Sequence, residues 1–121
     1  MLMDFDKGGR AITTVPFQKE YQLWQSRLTP KQWAAIEAHT DAILAGDRVH
    51  CSSWICGDDW RNTPLQPIYE KATKYSETQA AMCWGLVVMD RILHRCNTLG
   101  EDWGSLHSED VADGRIYWKL K

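Results

Sequence analysis

The chain has 121 residues, 14 Lys and Arg against 16 Asp and Glu, a formal charge of -2 and 44% hydrophobic residues. A chain of this length buries about two-thirds of its unfolded surface, and its apolar content excludes intrinsic disorder. The near-neutral balance, with Lys and Arg scattered rather than clustered, argues against nucleic acid as a partner.

Met1 to Asp6 carry two acids before any Lys or Arg and no apolar segment, unlike a secretory signal. Gly8-Gly9 predicts a mobile N-terminus over residues 1–9, leaving a single globular domain over 10–121. Residues 10–15 read as a strand and 17–28 as a helix. Next comes the clearest element: Thr29 as N-cap, Pro30 at the first helical position and Gln32 completing a capping box. In this second helix Trp33, Ile36, Thr40, Ile43 and Leu44 form one stripe, and Gly46 stands where a left-handed cap belongs.

Residues 48–56 read as a strand that ends at Gly57-Asp58-Asp59, and residues 68–75 as a short helix. Ser76-Glu77-Thr78-Gln79 repeats the capping-box spacing and opens a long central helix over about 77–96. Its first half, Ala80 to Met89, is apolar on every side and should therefore be enclosed, with Ala81 and Gly85 admitting a close backbone neighbour. Its second half carries a polar strip of Asp90, Arg91, His94 and Arg95. After Asp113-Gly114, alternation of Ile116, Trp118 and Leu120 with Tyr117 and Lys119 predicts a final strand, with Trp118 inward. The fold class is thus α+β, several helices packed on a small antiparallel sheet, with a mostly helical domain as the alternative.

The apolar run 80–89 falls short of the ~20 residues that span a bilayer, so no membrane association and a cytoplasmic location are expected. The sequence contains no phosphate cradle, dinucleotide fingerprint, nucleophile elbow or zincin helix, and no cofactor is expected. Cys51 and Cys56 lack a second Cys pair, which argues against zinc, and no metal site is expected. On one strand they face opposite sides, as buried inert thiols. Cys83 and Cys96 lie about 20 Å apart on one helix and cannot bridge. Asp90 and His94, one turn apart, are the only and weak catalytic candidates: a carboxylate orienting an imidazole suits acid/base work, but no nucleophile accompanies them.

The most distinctive local pattern is an echo, Gly57-Asp58-Asp59-Trp60 and Gly100-Glu101-Asp102-Trp103. Turn chemistry alone favours Gly and Asp at such places. If the two turns converge, Asp58, Asp59, Trp60, Glu101, Asp102 and Trp103, joined by Glu109 and Asp110 of the acid-rich segment 100–114, form an acidic surface bearing indole rings. Such a surface suits a partner protein with a basic patch, and exposed Trp also suits self-association. The expected function is a small interaction protein of adaptor or stoichiometric-inhibitor type. The alternative is a binder of a cationic or sugar-like small molecule, or a small hydrolase, with a pocket beside the long helix.

Overall fold

The computed structural model describes residues 1–5, 8–45, 50–51, 63–108 and 114–120. In chain order these form β1 (Leu2–Asp4), β2 (Arg10–Ile12), α1 (Gln18–Ser26), α2 (Pro30–Leu44), β3 (His50–Cys51), a π-helical turn (Ile68–Ala72), α3 (Glu77–Leu99), β4 (Asp102–Ser108) and β5 (Gly114–Leu120). The strands make one sheet in the order β2-β1-β4-β5-β3. The architecture is α+β, with the long helix packed against β1 and β4. The sheet is mixed rather than antiparallel: β1 runs parallel to β4, while β1–β2, β4–β5 and β3–β5 are antiparallel. A parallel pair needs a long crossover, and the helices between β1 and β4 supply it.

The helices form where the caps allow. Thr29 accepts from the Gln32 backbone N–H and Gln32 reaches back to the Thr29 N–H, closing the capping box of α2. Ser76 accepts from Gln79 N at the start of α3. This 23-residue helix ends at Gly100, whose φ of 67° stops the helix at little steric cost. At 1.5 Å per residue α3 is about 35 Å long and crosses the whole helical layer. Gly46, the expected cap of α2, lies outside the described residues, as do residues 52–56 of the predicted strand.

The core joins Tyr21 and Trp24 of α1, Ile36 and Leu44 of α2, Trp84, Val87, Val88 and Ile92 of α3, and Leu2, Trp103 and Tyr117 of the sheet. Trp84 is sealed as expected, although its indole N–H meets no acceptor among the described residues.

Three expectations are corrected here. Leu2–Asp4, which falls in the end expected to be mobile, is a sheet strand, with Leu2 1% exposed, and Gly8 and Gly9, at φ 69° and 85°, belong to the turn that leads from β1 to β2. Residues 102–108, expected as acidic loop, are strand β4 paired along its whole length with β5. The face of β5 is also reversed. Tyr117 is buried toward the helices, opposite Ser105, whereas Trp118 points to the far side of the sheet, opposite Gly104. Only glycine fits there, because a Cβ on Gly104 would stand 2.6 Å from the Trp118 ring and 2.8 Å from Phe5.

Candidate functional site

The second acidic turn is held by internal partners. Because Gly100 turns the chain sharply, Glu101 comes back over the last turns of α3. There Arg95 donates from Nε to Oε1 at 2.9 Å and from Nη2 to Oε2 at 3.0 Å, the fork geometry that matches a carboxylate. Trp103 Nε1 donates to the same Oε1 at 3.1 Å. The Met1 ammonium donates to the Glu101 carbonyl at 2.7 Å and to Asp102 Oδ1 at 2.9 Å, which tightens the N-terminal strand onto β4. The Trp103 ring itself is 0% exposed, and the Lys119 ammonium lies 5.6 Å from its centre.

Trp103 is therefore a core residue and not an exposed anchor. Strand alternation sends it to the helix side with Ser105, a placement that the loop expectation missed. Asp58, Asp59 and Trp60 of the first turn, and Glu109 and Asp110 of the acid-rich segment, lie outside the described residues.

The Arg95 guanidinium, followed by the Trp103 indole, holds the Glu101 carboxyl below its ordinary value of 4.5. Since the unfolded chain takes up this proton first as pH falls, the stabilisation is complete above pH 4.5 and is lost as pH drops through the folded value. Glu101→Gln is expected to lower stability at pH 7 by about 1–3 kcal/mol. It should also flatten the acid limb of a melting-temperature profile below pH 4.5. An unchanged acid limb in differential scanning calorimetry would show that the pairing does not persist in solution.

The catalytic candidates separate. Asp90 accepts a 2.8 Å hydrogen bond from the Tyr21 hydroxyl, which pins α1 to α3. Burial, then the Asp90 charge, raises the Tyr21 hydroxyl far above its ordinary range, so it acts as a permanent donor. His94 is exposed, and its imidazole meets no hydrogen-bond partner among the described residues. Arg91 is taken by α2, donating from Nε to Asp41 Oδ1 at 3.0 Å, from Nη2 to Asp41 Oδ2 at 2.8 Å, and to Glu37. Within the polar strip of α3, Asp90 and Arg91 thus serve helix packing and Arg95 holds the turn at Glu101. Cys83 is equally unsuited to chemistry, because burial pushes its thiol up to about 12. No three His, Cys, Asp or Glu side chains converge as metal ligands do among the described residues.

What the structure leaves open is apolar. The first half of α3, expected to be enclosed on all sides, turns Cys83, Trp84, Val87 and Val88 inward but leaves Ala81 and Met82 exposed, Met82 at 43%. Gly85 continues this face, with no described atom within 4 Å of the place a Cβ would take. Beside it α1 presents Leu23 at 50% and its N-cap residue Phe17 at 59% exposure. Phe17 holds φ 56°, a left-handed conformation costly for a bulky side chain. Phe17, Leu23, Trp24, Gln79 and Met82, together with Glu20 and Arg27, line an open groove of about 530 Å³. Arg27 is fixed by donating from Nη1 to the Ala72 carbonyl at 2.7 Å.

No family model, curated protein or solved structure matches the chain. No helix among the described residues is long and apolar enough to cross a membrane.

Proposed function

We propose that this protein is a small interaction protein, of adaptor or stoichiometric-inhibitor type, that binds an apolar helix of another protein in the groove between α1 and α3. The observation that carries this reading is the exposed side of the otherwise apolar half of α3, where Met82 stands beside Phe17 and Leu23 and Ala81 and Gly85 adjoin Met82 on the helix. Magnitudes shape the partner. Phe17, Leu23 and Met82 are already about half covered, so sealing each contributes only about 1 kcal/mol. Three such anchors do not overcome the ~4–15 kcal/mol that association costs. Further contact has to come from backbone approach, and the absence of bulk at Ala81 and Gly85 lets a second helix come within about 8 Å of the α3 axis.

Charge fixes the direction. Glu20 and Arg27, two turns apart on the α1 wall, favour a helix carrying a basic residue near Glu20 and an acidic one near Arg27. The acidic turn at Glu101 and Asp102 contributes less to this reading than the groove, because both carboxylates already have internal cationic partners. A small-molecule site beside α3 is the weaker reading: the volume suits one, but only two charged side chains, Glu20 and Arg27, line the groove, and Arg27 already donates to the Ala72 carbonyl.

Affinity capture from cell extract with the wild-type chain and with Leu23→Asp/Met82→Asp checks the proposal. A protein retained by the first and lost from the second is the expected result, and identical retained sets overturn it. Phe17→Gly adds an opposed readout. It relieves the left-handed strain, so the melting temperature is expected to hold or rise, while capture is lost with the ring.

A further inference from the structure

Arg27, the C-cap residue of α1, closes that helix's wall of the groove. Its Nη1 bond to the Ala72 carbonyl holds the guanidinium in place and ties it to the segment that leads into α3. That bond spends one N–H donor of several. The Nε–Nη2 edge of this half-buried side chain meets no carboxylate or other acceptor among the described residues.

Elsewhere in the chain the same edge has a consistent use. Arg91 turns Nε and Nη2 on Asp41, and Arg95 turns Nε and Nη2 on Glu101, at distances between 2.8 and 3.0 Å. This side-on fork matches the two oxygens of a carboxylate. Gln79, in the first turn of α3, lines the groove with Arg27. Its backbone N–H is given to Ser76, but its side-chain amide has no partner among the described residues. Arg27 stands one turn beyond Leu23 on α1, and Gln79 one turn before Met82 on α3, so each polar group adjoins an apolar anchor. The positive end of the α3 dipole adds to the pull on an anion, whereas Glu20, two turns back along α1, repels one from its own end of the groove.

Building on the groove reading above, we propose that the docked helix carries a glutamate or aspartate about one turn from its apolar anchors, seated on the Nε–Nη2 edge of Arg27 with the Gln79 amide donating to it. This carboxylate sets which way round the helix lies. A single pinned edge does not hold a small molecule by itself, but it suffices to orient a helix that brings its own apolar contacts.

Selection of phage-displayed helical peptides with one randomised face on the full wild-type chain tests it. Recovered peptides that fail to bind Leu23→Asp/Met82→Asp are expected to share an acidic residue at one position beside their apolar anchors. Exchanging that acid for its amide in the peptide should weaken binding to the wild-type chain by about 10-fold or more, the worth of a hydrogen bond to a charged group. The same exchange should change nothing on Arg27→Gln, where the fork is gone. Groove-dependent peptides without a shared acid, or an exchange that costs as much on Arg27→Gln as on the wild type, overturn the carboxylate contact and leave the groove reading standing. If no recovered peptide depends on Leu23 and Met82, the groove reading falls and the contact with it. Should Arg27→Gln fail to fold, the Arg27 Nε–H resonance of the wild-type chain decides: a shift with the acidic peptide but not with its amide form supports the contact, and an unmoved signal or equal shifts overturn it.

Discussion

Replacing Trp103 by alanine is expected to lower the free energy of unfolding by about 3–5 kcal/mol. The indole is 0% exposed, stands in one row with Leu2 and Lys119 across three strands, and supplies the hydrogen bond that helps hold Glu101. Its loss opens a cavity where sheet meets helices and takes a donor from a carboxylate. Against a total stability of about 5–15 kcal/mol for a domain, that is a large share. Urea denaturation measures it. Trp103→Phe, which retains an aromatic ring, should lose distinctly less, and a loss under about 1 kcal/mol for alanine would show that the ring does not hold the core. A binding defect in Trp103→Ala would therefore report unfolding, and this is why Leu23 and Met82 are the residues to change in a test of docking.

Arg91→Met is expected to cost about 2–3 kcal/mol, between the small value of surface pairs and the 3–5 kcal/mol of buried ones. The side chain of Arg91 is 13% exposed, whereas those of Glu37 and Asp41 are 31% and 34% exposed, so water screens the carboxylates but hardly the guanidinium. Without Arg91, α2 brings two carboxylates to α3 with no cation hydrogen-bonded to them among the described residues. Arg91→Lys should recover little, because the pair with Asp41 uses two parallel N–H donors and lysine has no fork. Glu37→Gln/Asp41→Asn in the Arg91→Met background should recover more than half of the loss. Additive losses in this cycle would show that the groups do not interact.

Local chemistry made the helices legible. The Thr29 and Ser76 caps, the Ile36-Thr40-Leu44 stripe and the apolar start of α3 all depend on residues within a few positions of one another, and each element forms where it was expected. The sheet was less legible, because its register depends on partners about a hundred residues away. Leu2 pairs with Trp103, and no local pattern announces a parallel pair so distant in the chain. That pairing turned a supposed mobile end into strand β1. A one-residue difference in inward parity moved Trp118 to the open face and left Tyr117 in the core, since side chains alternate at every step along a strand.

The candidate site follows the same division. The order of residues alone determined that the first half of α3 is apolar on every side and that residues 17–28 form another helix. Only tertiary packing decided which side of that helix stays uncovered, and that Glu101 pairs with Arg95 and Asp102 with the Met1 ammonium. Hydrophobicity and capping act over one or two turns and are written in the order of residues. Exposure and charge pairing depend on which distant surfaces meet, and folding alone sets that.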